Sequence, residues 1–166
     1  MSDTTSRLGL PMIRVGQAQK ELSHNEALAL IDLLIHAAVI GFAVNAPPPT
    51  PAPGDTWVVG SAPSGAWAGR ANQLAGWTDG GWRFAVPIEG MAVWIVQGGV
   101  LARFAGGVWN AGDVTASRLM IGGNMVVGPQ QAAIAAPTGG TVTDGQARVA
   151  IASILQAMRT HGLIAG

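Results

Sequence analysis

Apolar and polar positions divide this chain into four stretches with different periods. Residues 17–26 are mostly polar, and residues 27–44 (ALALIDLLIHAAVIGFAV) are apolar almost throughout. That run predicts one helix from about Gln17 to Gly41, with Gly41 as its stop. Residues 45–55 (NAPPPTPAPGD) carry Pro47, Pro48, Pro49, Pro51 and Pro53, which favour extended polyproline II geometry and predict a stiff spacer. From about Thr56 to Asn110, short apolar runs alternate with glycine-rich turns. Thr78-Asp79-Gly80-Gly81 and Gln97-Gly98-Gly99 predict hairpins that pair Leu74–Trp77 with Trp82–Val86 and Val93–Val96 with Val100–Phe104. Leu74 to Trp82 and Leu101 to Trp109 share the pattern L-A-x-aromatic-x-x-G-x-W. This predicts two similar hairpins side by side, too few copies for a propeller.

The last stretch reads as short strands at Leu119–Val127 and Gln131–Ala136, broken by Gly122-Gly123 and Gly128-Pro129, and then a helix. Asp144 is its expected N-cap. Ala147, Ile151, Ile154, Leu155 and Met158 form one apolar stripe, with Arg148, Gln156 and Arg159 facing away. Gly162 suits the residue just past the helix end, with Leu163-Ile164 folded back onto the last turn. The expected class is α+β: an N-terminal helix, a small Trp/Gly-rich antiparallel β module, a short β segment and a C-terminal amphipathic helix. The expected organisation is a helical docking or oligomerisation segment at 1–44, a linker at 45–55, a β module at 56–112, and a β segment plus helix at 113–166.

Composition sharpens this picture. Only 11% of residues are charged, against about 25% in a typical soluble domain. The shortfall argues that much of the surface is covered by copies of the same chain or by another partner. Net charge is zero, so no basic face for nucleic acid is expected. The chain lacks Cys, which excludes disulfides and thiol chemistry. Met1–Ser6 is polar, and no secretion signal is read there. Residues 27–44 approach the length of a membrane span, but Asp32 lies inside the run and no basic cluster follows it. A helix buried in an oligomer is expected, not a span.

Candidate chemistry is sparse. Asp32 and His36 would share one face of the predicted helix and are the expected polar pair of an oligomer contact. Two such residues do not make a metal site, and neither metal nor cofactor is expected. Serines lie outside any nucleophile elbow. The carboxylates of the β module (Asp55, Asp79, Glu89, Asp113) read as turn residues, so no catalytic residue is assigned. All six Trp fall between Trp57 and Trp109, in a chain without Tyr. Trp82 and Phe84 share one strand face and are expected in the core. Trp77 and Trp109 flank turns and are the candidate rings for stacking on glycan.

Several strings carry a resemblance. They are Gly9-Leu10-Pro11, Gly16-Gln17-Ala18-Gln19-Lys20-Glu21, His24-Asn25-Glu26-Ala27-Leu28 with Asp32, Gly54-Asp55-Thr56-Trp57-Val58-Val59-Gly60, Gly65-Ala66-Trp67-Ala68-Gly69, Trp82-Arg83-Phe84 and Pro87-Ile88-Glu89-Gly90. Together they resemble domain-of-unknown-function family 2793, found in tail fibres, spikes and related structural proteins of bacteriophages and gene transfer agents. The stretch Val127–Ile134, with Asp144, Ala147-Arg148 and His161–Ile164, resembles the ending of such fibre proteins. The resemblance implies a virion structural protein: a short tail fibre, spike or adaptor, made in the bacterial cytoplasm and carried on the particle. It implies a homo-oligomer, by analogy a trimer, with other virion proteins and host-surface polysaccharide as partners. Many relatives continue into long distal regions while this sequence stops at Gly166, as expected of a short fibre, adaptor or anchor. The alternatives are a capsule-degrading hydrolase and a non-viral carbohydrate-binding module.

Overall fold

The computed structural model describes residues 4–13, 20–142 and 144–166; the predicted helix start at Gln17–Gln19 lies outside them. Helix α1 spans Lys20–Leu34. It ends seven residues before the predicted stop, because His36 adopts a left-handed backbone, φ 47°. An arginine from the N-terminal segment covers the helix end: the Arg7 guanidinium donates to the carbonyls of Asp32, Leu33 (3.2 Å), Ile35 (3.3 Å) and His36 (2.9 Å). A cation on unsatisfied C-terminal carbonyls complements the helix dipole. The apolar run then continues as strands β1 (Ala38–Val39) and β2 (Gly41–Val44). Val39, Phe42 and Val44 suit a pleated surface better than a helix. Residues 27–44 are therefore half helix and half strand, and among the described residues no helix is long and apolar enough to cross a membrane.

Six further strands complete the first of two units, residues 1–113: β3 (Thr56–Val59), β4 (Leu74–Thr78), β5 (Gly81–Ala85), β6 (Ala92–Ile95), β7 (Val100–Ala105) and β8 (Val108–Ala111). They form two four-stranded sheets, β2-β3-β4-β5 and β1-β6-β7-β8. Both predicted pairings occur, with Trp77 opposite Trp82 and Val93 opposite Ala102. The sheets are mixed, not purely antiparallel: β1 runs parallel to β6, and β2 parallel to β3. Consequently the Pro-rich stretch is the crossover between β2 and β3, inside the first unit. It does not separate a helix from a β module.

The two sheets are copies of one plan, a short parallel strand added to a three-stranded meander. Thr56, Trp57 and Val58 lie opposite Gly76, Ala75 and Leu74, as Ala92, Val93 and Trp94 lie opposite Arg103, Ala102 and Leu101. Trp77 opposite Trp82 corresponds to Phe104 opposite Trp109. Even the loop bonds recur: Gly54 N–H to Trp77 O and Trp77 N–H to Asp55 O match Gly90 N–H to Phe104 O and Phe104 N–H to Met91 O. Gly54 and Gly90 both take positive φ, 97° and 85°, a conformation that costs glycine little. The predicted repeat is real, but its two hairpins sit in separate sheets and not side by side.

The copies pack front to back. Val58, Leu74 and Ala85 on one face of the first sheet join Val39, Val93, Ile95 and Ala102 of the second, with Leu33 of α1, in one core. Trp57, Val59 and Ala75, on the opposite face of the first sheet, form a second cluster around Trp67, with Trp77, Trp82 and Phe84 at its edge. By register, Trp57 and Ala75 correspond to Val93 and Ala102. The face that is outermost in the first copy is thus the face buried between sheets in the second.

The second unit, residues 114–166, holds a hairpin of β9 (Leu119–Ile121) and β10 (Asn124–Val127) and helix α2 (Gly145–Thr160). The Asp144 side chain caps α2 by accepting from Ala147 N–H at 3.0 Å. The far end closes as expected, with Gly162 N–H on Arg159 O and Leu163 N–H on Met158 O, the paired bonds of a Schellman motif. Gln131–Ala136 is not a strand; only Gln131 bridges to Ile164. Arg148 and Arg159 do not face away either. Arg148 donates to Pro137 O and Gly139 O, and Arg159 to Ile134 O, holding the extended 131–139 segment along the helix.

Candidate functional site

The helix residues of the quoted motif serve as clasps. Asp32, buried at 5% exposure, accepts from Thr5 Oγ1 at 2.8 Å, Arg7 N–H at 2.9 Å and Leu8 N–H at 2.6 Å. Asn25 bonds both the N–H and the carbonyl of Ile13. Glu26 receives Arg83 of β5 through two bonds of 2.7 and 2.6 Å. A buried carboxylate needs such donors to offset lost hydration. Gly9 turns the N-terminal segment at φ 65°, so that Thr5 N–H meets Leu10 O. Asp32 and His36 do not share the helix face expected of them, because α1 ends at Leu34. Asp32 is engaged within its own chain, and His36 lies past the helix end with its carbonyl bound by Arg7.

The aromatic cluster is centred on Trp82. Its ring centroid lies 5.3 Å from that of Trp57, 5.1 Å from Trp67 and 4.9 Å from Trp77, each edge-on, and 6.4 Å from Phe84, stacked. Trp67 enters from a short 3-10 turn, Gly65–Trp67, and is fully enclosed. Arg70 sits over the Phe84 ring at 4.9 Å. Trp82 and Phe84 are therefore packed as expected, but in the outer aromatic cluster and only partly buried. Trp109 belongs to the other cluster, edge-on to Phe104 at 5.4 Å. The two candidate glycan rings, Trp77 and Trp109, are thus not brought together. In the duplicated plan Trp109 matches Trp82, not Trp77.

One surface escaped the sequence reading. Trp94 and Leu101 are directly opposite on β6 and β7, each 46% exposed, on the outer face of the second sheet. Trp94 is the most exposed of the six tryptophans. The alternation Val93-Trp94-Ile95-Val96 carried the signal, because buried Val93 and Ile95 force Trp94 outward.

The concavity bounded by the N-terminal segment, α1 and the β4–β5 turn holds Asn25, Glu26, Asp32, Asp79 and Arg83. Of its charged groups, Asp32 and the Glu26–Arg83 pair already hold partners. Asp55 accepts from Ala52 N–H and Glu89 from Gly106 N–H, which makes them loop residues. Among the described residues no group of three or more His, Asp or Glu is placed to hold a metal ion.

Residues 24–110, just over half of the chain, match a family described as "Protein of unknown function (DUF2793)". The match takes in the clasps on α1 and both copies of the β plan, and stops before the second unit. No curated protein matches the chain.

Proposed function

The chain belongs to the DUF2793 family, and from that premise we propose that it is a virion structural protein, a short fibre, spike or adaptor of a tailed phage or gene transfer agent. Its role is architectural and non-enzymatic, and it works as a homo-oligomer, by analogy with phage fibres a trimer. The observation that carries this reading is the second unit. Among its described residues, Leu155 and Ile164 are the only buried hydrophobic ones. Ile151 and Ile154 on α2 are exposed, and so is every residue of β9 and β10, including Leu119, Met120, Ile121, Met125, Val126 and Val127. A unit this short, with so little apolar burial, lacks the core needed to stand alone. Exposed apolar area of this extent marks an assembly surface. Host glycan was expected at Trp77 and Trp109; their separation removes a two-ring platform and favours the architectural role.

The test is to purify particles from a host carrying the gene and to digest them for mass spectrometry. The chain is expected at stoichiometric levels, and deleting its gene should yield particles lacking a fibre or spike by electron microscopy. Particles free of the chain would overturn the reading. Turnover of purified capsule by the isolated protein would favour the hydrolase.

A further inference from the structure

Of the charged groups around the concavity beside the β4–β5 turn, Asp79 holds no hydrogen-bond or ion-pair partner among the described residues. It stands at the apex of that hairpin, in a turn closed by Thr78 opposite Gly81, and both Asp79 and Gly80 are exposed. The Gly80 N–H donates to the Thr78 hydroxyl at 3.2 Å, near the long limit of such a bond. The Asp-Gly pair that suits a hairpin turn also leaves the glycine amide unshielded by any side chain. Asp3, Asp32, Asp55 and Asp113 precede Thr4, Leu33, Thr56 and Val114, whose side chains crowd the amide that follows, and no Asn precedes a glycine. Only Asp144, followed by Gly145, shares the motif. There the carboxylate is occupied. Asp144 Oδ1 accepts from Ala147 N–H at 3.0 Å as the cap of α2, and the Asp144 carbonyl accepts from Arg148 N–H at 3.1 Å. Turning that carboxyl onto Gly145 would forfeit the cap.

We propose that Asp79 is a site of spontaneous isomerisation to the β-linked, isoaspartyl form, and that its capping bond protects Asp144 from the same change. The Gly80 amide nitrogen attacks Asp79 Cγ. The carboxyl hydroxyl leaves with the amide proton as water, and a cyclic imide closes. Water then adds to the main-chain carbonyl of Asp79 and breaks its bond to the Gly80 nitrogen. The chain now runs through the side-chain carbonyl, and the former main-chain carbonyl becomes a free carboxylate. One water leaves and one enters, so composition is unchanged and neither oxidant nor cofactor is required. The backbone gains a methylene at the turn. Gly80 O accepts from Arg83 Nη1 at 3.2 Å, and Arg83 holds Glu26 of α1. Lengthening the turn therefore displaces a carbonyl that steadies the clasp between α1 and β5. The change goes beyond the proposed architectural role and does not depend on it.

The test holds the full-length protein in warm, mildly acidic buffer made with heavy-oxygen water, with circular dichroism showing the fold intact. Samples are then digested with trypsin in ordinary water. The peptide of residues 71–83 carries Asp79, and that of residues 119–148 carries Asp144. The 71–83 peptide is expected to split with time into two chromatographic forms. The new form should be heavier by the incorporated oxygen and should accept a methyl group from an isoaspartyl methyltransferase, while the 119–148 peptide stays single. Gly80→Ala should remove the new form over the same time. Its Cβ would meet only the flexible end of Arg83, at 3.2 Å, and the Thr78 hydroxyl, and circular dichroism checks the fold of the variant. In urea, with the cap of α2 lost, both peptides should convert at similar rates. Conversion of the 71–83 peptide in urea but not in the folded chain would mean that the turn protects Asp79, and would overturn the inference. Equal conversion of both peptides in the folded chain would overturn it as well.

Discussion

Trp109 donates its indole N–H to the backbone carbonyl of Asn72 at 2.8 Å, so the last strand of the second copy is tied to the loop that feeds β4 of the first. Asn72 sits at φ 62°, a left-handed turn that aims its carbonyl at the ring. The bond is separable from the ring's packing. Trp109→Phe keeps an aromatic against Phe104 but drops the donor, and is expected to cost about 1 kcal/mol, read as a lower urea midpoint at unchanged slope.

Trp82 is the hub of four ring contacts, and Trp82→Ala should lose about 3 kcal/mol, the lower end of large aromatic truncations because the ring is only partly buried. Near-ultraviolet circular dichroism should collapse with it, since Trp57, Trp67 and Trp77 all couple to that ring. An unchanged melting temperature would show the cluster to be dispensable.

Gly76 is required by close approach. A Cβ built there would lie 2.7 Å from Leu33 Cδ1, so Gly76→Ala should cost about 1–3 kcal/mol through overpacking. Shortening the opposing residue should restore much of it. The measurement is the double-mutant cycle with Leu33→Val: an additive outcome would mean that α1 does not rest on β4.

What the sequence revealed and concealed follows from these residues. The turns were legible because Asp-Gly and Gly-Gly demand particular backbone angles, and the cap of α2 because Asp144 has one evident task. Residues 35–44 were not, since an unbroken apolar run has no period to separate a helix end from two short strands. The shared face of Asp32 and His36 was lost with that helix end. The duplication was only half visible, because residues 60–73 intervene between β3 and β4 where residues 96–99 suffice between β6 and β7. That unequal insertion hides the match of Pro51 and Gly54 with Pro87 and Gly90. Trp94 lies mid-strand in β6 and not beside a turn, so its position alone does not mark the ring as exposed.

Asp32→Ala should cost about 3 kcal/mol, by leaving the Arg7 and Leu8 amides and the Thr5 hydroxyl without their acceptor. Amide exchange at Leu8 should accelerate first, with the strands of both sheets still protected. Uniform acceleration across the first unit would instead make the clasp part of the global fold.

Glu26→Gln, at the exposed partner of Arg83, should cost less than about 1 kcal/mol. Added salt should narrow the difference from wild type. A larger, salt-independent loss would contradict the reading of this pair as a surface clasp.

The short path through Ala38, Val39, Ile40 and Gly41 serves the second sheet with β1 and, at once, the first sheet with β2. A nascent chain therefore carries β1 long before its partner β6 exists, whereas β3 follows β2 directly after the Pro-rich crossover. The first sheet can close once Ala85 has left the ribosome. Val39 must wait for Ile95, and the inner faces of Val58 and Leu74 stay bare until Ala102 follows. Synthesis thus opens an interval in which a finished sheet presents an unclaimed apolar face to other nascent copies. Slow translation over residues 86–102 would lengthen that interval and favour pairing between chains over closure within one.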